Sequence, residues 1–214
     1  MSELRKSLYF VGAGDLGRMM EAWVGLLPDF DQNWVIKGYL DKNSNALKGY
    51  PSDYKIVGNP VDFRFKSGDH ALMCISDPVR KQELATILKE RVSFFTYVAP
   101  NAFLGKFVHL GTGVIILPNT CFVSNTWIDD FVFINAATNI GHDCKIGAYC
   151  SIMSNVDLGG RVTIGERVYI GTNATIIPER TVNNDITIGT GSIVIQDLKK
   201  QGTYFGNPAR LAGL

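Results

Sequence analysis

Of the three histidines in the sequence, His142 stands in the run Ile140-Gly141-His142-Asp143-Cys144, with a carboxylate directly after it. A histidine changes charge near neutral pH, so it can take a proton from an attacking amine or hydroxyl. His109 closes a six-residue unit and is expected to face solvent, and His70 opens a strand. Gly160, the second residue of Gly159-Gly160, follows His142 by three such units. A glycine there offers either a bare backbone N–H for a developing negative charge or merely room for a turn. A second constellation lies near the N-terminus: Gly12-Ala13-Gly14-Asp15-Leu16-Gly17, a GxGxxG between an apolar strand and an amphipathic stretch. Gly12 and Gly14 allow a tight turn with bare amides, and the helix N-terminus that follows favours phosphate. Asp41, at the end of the next apolar run, could accept hydrogen bonds from a ribose or a base. The same spacing also fits a strand–helix turn that holds no ligand.

Both constellations need elements to position them. From Val98 to Val194 every sixth residue is apolar, 17 positions without a slip, and ten of them are isoleucine. A second column four residues later, from Ala102 to Leu198, is small or β-branched with few exceptions. The residue after the aliphatic one is often glycine, as at Gly105, Gly141, Gly159 and Gly171. Period six matches neither a helix nor a lone strand. It matches a coil with flat faces, the large column pointing inward, the small column beside it, and glycine or a polar residue taking the turn. Cys144 and Cys150 fall in the small inward column and read as core packing.

Residues 1–97 have another rhythm. Leu8–Val11, Trp34–Leu40 and His70–Ser76 read as buried strands, and Ser93–Val98 as a strand leading into the repeat. The stretch from the GxGxxG to about Leu27 and the run after Pro78 read as helices. The order argues for a parallel sheet with nucleotide-binding geometry. Ninety-seven residues make one mononucleotide half, which disfavours a dinucleotide-dependent oxidoreductase.

Composition mostly excludes. The formal net charge is +1, from 21 basic and 20 acidic residues, so no basic footprint points to nucleic acid or an anionic membrane. Four cysteines in 214 residues make no disulfide scaffold, and no Cys/His spacing suggests a metal site. The segment MSELRKSLYFVGAG has no long apolar stretch with a small-residue cleavage site, and no run is long enough to span a membrane, so a cytoplasmic chain is expected. Charge is unevenly spread: only 12 of the 97 residues from 98 to 194 are charged, and 29 of the remaining 117.

Units such as IGHDCK, IGAYCS, IGERVY and IGTNAT are similar to the hexapeptide repeats of left-handed parallel β-helix acyltransferases. The GxGxxG domain joined to such a solenoid resembles, over essentially the whole chain, the sugar-modifying acyltransferases that include the PglD-type and perosamine N-acetyltransferases and the NeuD-type sialic acid O-acetyltransferases. The resemblance implies a Rossmann-like sugar-nucleotide-binding domain over 1–97 and a left-handed β-helix with a C-terminal tail over 98–214. It implies a homotrimer with active sites between subunits, acetyl-coenzyme A as donor, no metal, and a nucleotide-linked amino sugar as acceptor, a 4-amino-4,6-dideoxyhexose by preference. The product would feed polysaccharide or glycoprotein synthesis. His142 would then be the general base, Asp143 its orienting partner in place of the family's more usual glutamate, and Gly160 the oxyanion donor. Thr172, Thr190, Pro178 and Arg210 (in Gly206-Asn207-Pro208-Ala209-Arg210) would meet the coenzyme. Gly12, Gly14, Asp15, Asp41, Ser76 and Asp77 would meet the sugar nucleotide, although Ser76, Asp77, Arg80 and Lys81 equally fit solvated helix charges. With no GxSxG, direct transfer is expected over an acyl-enzyme. The alternatives are sugar O-acetylation and a non-catalytic sugar-nucleotide-binding solenoid.

Overall fold

The run Lys6–Val11 alternates into a buried strand (β1) that stops at Gly12, and the sharp reversal there sets up the rest of the first unit. The computed structural model describes residues 5–213. The chain folds as two units, with the main boundary between Thr96 and Tyr97. The first is built on a five-stranded sheet in the order β3-β2-β1-β4-β5, with β2 at Trp34–Leu40, β3 at Ile56–Gly58, β4 at Asp69–Met73 and β5 at Ser93–Phe94. Every pairing in it is parallel. Helix α1 (Asp15–Val24) buries Leu16, Gly17, Met20 and Val24, the helical spacing expected of its apolar residues. A four-residue helix α2 (Phe30–Asn33) precedes β2, and α3 (Pro78–Leu88) starts at the expected proline.

Gly12 takes φ +105°, and a Cβ there would lie 2.6 Å from Ile75 Cδ1 and 2.8 Å from the Cys74 carbonyl. Gly17 brings α1 against the turn: its Cβ would lie 2.2 Å from the Gly12 carbonyl oxygen. Gly12→Ala is therefore expected to cost about 1–3 kcal/mol of stability, read as a lower denaturation midpoint; an unchanged midpoint would contradict the close approach.

One expectation for this unit needs correction, and one strand was not foreseen. Ser93–Val98 is not one strand: Ser93–Phe94 pairs with β4, whereas Tyr97–Val98 pairs with Ile115–Ile116 of the repeat. The short strand β3 carries too few residues for alternation to reveal it.

The second unit is a parallel β-solenoid. Its strands form three sheets in which each pairs with the strand three hexads further along, as in Asn139–Ile140 with Asp157–Leu158. The six-residue column points inward as expected: Ile116 through Val194 are buried, with Val98, Leu104 and Leu110 partly covered at the first coils. Burying each such side chain is worth about 1.5–3 kcal/mol, and stacking them coil on coil makes one continuous core. Thr120 and Thr138, polar members of the small column, donate their hydroxyls to backbone carbonyls at 2.8 and 3.0 Å. Cys144 and Cys150 are buried in this core, and burial pushes the Cys144 thiol pKa up.

The corners correct the reading of the glycines. The left-handed conformation recurs every six residues, but mostly at non-glycine residues: Phe107, Asn125, Asp143, Arg161 and Glu179 have φ between 51° and 65°. Their strain, of order 1–2 kcal/mol each, is offset at Asn125, Asp143, Arg161 and Glu179 because the amide bonds a carbonyl of the coil before, as in Asp143 N–H to Ser124 at 3.1 Å and Arg161 N–H to His142 at 2.8 Å. The glycines sit two positions earlier, where the coils touch: a Cβ on Gly105 would lie 1.7 Å from the Val123 carbonyl oxygen.

Candidate active site

Stacking of the coils places Asn125, Asp143, Arg161 and Glu179 on one corner of the solenoid, and Ser124, His142, Gly160 and Pro178 on the adjacent column of the same corner. His142 Nδ1 lies 2.7 Å from Asp143 Oδ2. The carboxylate holds the proton of the neutral ring on Nδ1 and leaves Nε2 with its lone pair. Asn125 Nδ2 donates to the other oxygen, Asp143 Oδ1, at 2.5 Å. One coil above, Arg161 pairs with Glu179 through Nε and Nη2 at 3.0 and 2.6 Å.

Nε2 faces the coil above. A Cβ built on Gly160 would lie 2.5 Å from Nε2 and 2.7 Å from Cε1 of His142, so the imidazole occupies the space that only glycine leaves open. Among the described residues the Gly160 N–H donates to no acceptor. At Thr112 and Glu166 the equivalent amide is taken by a side chain of the next coil, Asp130 at 2.7 Å and Asn184 at 2.9 Å. At Gly160 that position is Pro178, which has no side-chain acceptor. The Pro178 ring instead lies against Gly159, whose Cβ would meet it at 2.6 Å.

The Asp143 carboxyl is held below the usual carboxylate range, first by the hydrogen bond to His142, then by that from Asn125, with the charges of His142 and Arg161 adding to them. Whatever stability the pair carries is present above the ordinary carboxylate range and is lost as the pH falls through the depressed midpoint. A chemical-shift titration of Asp143 is expected to show a midpoint below that of an ordinary aspartate; a midpoint at the ordinary position or above it would mean that the pair does not form.

The coenzyme candidates divide. Pro178 shares the His142 corner. Thr172 follows the strand Tyr169–Ile170, in a different sheet from Asn139–Ile140, so Thr172 and Thr190 stand on another corner of the same chain. Among the described residues their amides also donate to no acceptor. The tail strand Gly202–Phe205 pairs with Ile186–Ile188, Phe205 packs on Gly189, and Arg210 lies exposed on the strand that follows. Thr190 and Arg210 are thus gathered at the last coil, apart from His142.

In the first unit a cavity of about 110 Å³ opens at the C-terminal ends of β1, β2 and β4, lined by Gly12, Asp41, Lys42, Ile75 and Arg80 among others. Ligands of open parallel sheets bind at such ends. Asp41 has a local job: Oδ2 accepts the Ala13 N–H at 2.8 Å and Oδ1 the Asn43 N–H at 2.8 Å, which fixes the glycine turn. Asp15 is exposed and paired with Arg18. Ser76 and Asp77 are exposed on the turn before α3, and it is Lys42 and Arg80 that line the cavity. A Cβ on Gly14 would meet nothing within 4 Å, so the fold itself does not require glycine there.

Sequence reading missed Asn125, although the step from Arg161 back to Asp143, taken once more, reaches its corner column. It also missed Lys42. Among the described residues no group of side chains could hold a metal ion, and no helix is long and apolar enough to cross a membrane.

The family model described as the GMPPB C-terminal domain matches residues 79–193. No curated protein sequence matches the chain. Among solved structures, PerB from Caulobacter crescentus in complex with CoA and GDP-perosamine is 25% identical, with a TM-score of 0.84 over 97% of each chain. The acetyltransferase domain of PglB from Neisseria gonorrhoeae, in complex with acetyl coenzyme A, is 20% identical with a TM-score of 0.87, over 98% of this chain and 100% of that one. WeeI from Acinetobacter baumannii is 24% identical with a TM-score of 0.82, over 96% of this chain and 99% of that one.

Proposed function

The chain belongs to the family of the GMPPB C-terminal domain, and from that premise we propose that it is an acyltransferase that moves acetyl from acetyl-coenzyme A to the amino group of a nucleotide-linked amino sugar. The observation that carries this reading is the corner where His142 Nδ1 is held by Asp143 at 2.7 Å while Nε2 faces Gly160. The likeness to PerB, which has CoA and GDP-perosamine bound, supports the same donor and an acceptor of the same class, a nucleotide-linked 4-amino-4,6-dideoxyhexose.

In this reading the amine attacks the thioester carbonyl and His142 Nε2 takes the proton it sheds. Asp143 orients the ring and stabilises the imidazolium. The carbonyl oxygen becomes negative and the free Gly160 N–H stabilises it. Collapse breaks the carbon–sulfur bond, the acetyl stays on nitrogen as an amide, and coenzyme A leaves as the thiol with the proton from His142. Transfer is direct.

The parallel sheet of residues 1–97 acts as a Rossmann-like holder for the nucleotide, and residues 98–214 as a left-handed β-helix that binds the coenzyme. The cavity at the strand ends, with Lys42 and Arg80 in its lining, suits a diphosphate. Gly14, for which the fold supplies no steric need, leaves the backbone of the helix N-terminus open to it. Gly12 and Asp41 shape that turn, and Asp15, Ser76 and Asp77 remain candidates around it.

Phe103, Phe107, Val123 and Trp127 are each more than half exposed around the first coils of the His142 corner. Such an apolar patch suits a subunit interface, and a homotrimer would bring Thr172, Thr190 and Arg210 of one subunit to Pro178 and His142 of the next. Light scattering should give three times the 23.6 kDa chain; a monomer at micromolar concentration would refute the shared site. Thiol release should depend on a 4-amino sugar nucleotide and vanish with its 4-hydroxy counterpart. Release with the hydroxyl sugar alone would favour O-acetylation.

A further inference from the structure

Asp143 has a short side chain, so its carboxylate has limited reach and needs something to aim it. It sits in the left-handed region at φ 60°, and the residue one coil below, Asn125, has φ 51° on the same corner. Asn125 is anchored by its own backbone, N–H to the Lys106 carbonyl at 3.0 Å. Its side-chain amide donates to Asp143 Oδ1 at 2.5 Å, while Oδ2 faces His142 Nδ1 at 2.7 Å. The two oxygens of one carboxylate are thus divided between a fixed amide and the imidazole.

We propose that Asn125 is a positioning residue for acyl transfer: its amide holds the Asp143 carboxylate in the rotation that keeps the His142 ring aimed at Gly160. The proposal rests on the acyltransferase reading for its kinetic consequences, but not for its geometry. The other charged groups near Asp143 are His142 beside it and Arg161 on the coil above, itself tied to Glu179 at 2.6 Å. Arg161 contributes charge at a distance, whereas the direct hydrogen bond to Asp143 Oδ1 comes from Asn125, so the clamp falls to Asn125.

The test uses two variants suited to a left-handed corner. Asn125→Gly removes the amide without backbone strain. Asn125→Asp keeps the shape and sets a second carboxylate against Asp143. With Asn125→Gly, kcat is expected to fall about tenfold with KM for both substrates unchanged, the order expected when one hydrogen bond to a charged group is lost. Asn125→Asp is expected to fall further at neutral pH, although it is the closer isostere; a purely structural role predicts the opposite order. Nitrogen-15 spectra of His142 give a readout that needs no turnover: the wild type should show one tautomer, protonated on Nδ1, and Asn125→Gly a mixture. Wild-type kcat in both folded variants, a change confined to KM or melting temperature, or an unchanged tautomer would each overturn the proposal. Absence of acetyl transfer by the wild-type protein would count against the acyltransferase reading, and the tautomer measurement would still decide the clamp.

Discussion

His142→Ala is expected to lower acetyl transfer by about 10²–10⁴-fold, the usual contribution of a positioned general acid–base. The imidazole is about half exposed and lies on a corner, so its loss opens no cavity in the inward column. Melting temperature and binding of the sugar nucleotide, assigned to the first unit, are expected to stay as in the wild type. That combination separates the acyltransferase from a solenoid that merely binds a sugar nucleotide: in the latter no rate depends on His142. Initial rates of thiol release, with calorimetric titration of the nucleotide sugar, check both halves, and turnover near the wild-type rate would remove His142 from the mechanism.

Gly160→Ala carries the second large effect. The new Cβ would fall 2.5 Å from Nε2 and 3.0 Å from Cδ2 of His142, with the ring atoms the nearest neighbours. The imidazole can swing away, so the fold survives while the base leaves its position and the oxyanion space closes. A displacement of about 1 Å costs on the order of 10²-fold in rate, and a loss of that size is expected with little change in melting temperature. Gly159→Ala, one residue earlier, makes the contrast. Its Cβ would meet Pro178 N at 2.5 Å and the proline ring at 2.6 Å. Backbone cannot step aside as a side chain can, so Gly159→Ala is expected to lower the melting temperature. Equal thermal losses in the two variants would show that Gly160 serves only the turn.

The solenoid was legible because its period repeats 17 times and survives local exceptions such as Arg180 in the small column. The same arithmetic carried the site: positions three hexads apart must stack, and His142 does meet Gly160. It could have carried more. Thr172 lies five hexads after His142, not a multiple of three, so the two stand on different corners within one chain. The glycines misled because their usual reason is φ, whereas here close coil contact selects them and hydrogen-bonded non-glycine residues take the left-handed corner. In the first unit, the break after Phe94 and the third strand depend on pairing partners distant in sequence, which local pattern does not encode. Asp41 was legible as a polar group near the glycine turn, but its two backbone partners, Ala13 and Asn43, emerge only from the folded chain.

The most direct measurement follows one turnover of the protein with isotopically labelled acetyl-coenzyme A and a nucleotide-linked 4-amino-4,6-dideoxyhexose. Mass spectrometry of sugar and protein is paired with thiol release. The account predicts one thiol per sugar acetylated, the label in a hydroxylamine-stable amide, and no label on the protein at any time. Label on the protein, or no thiol release across UDP-, dTDP- and GDP-linked acceptors, would contradict it.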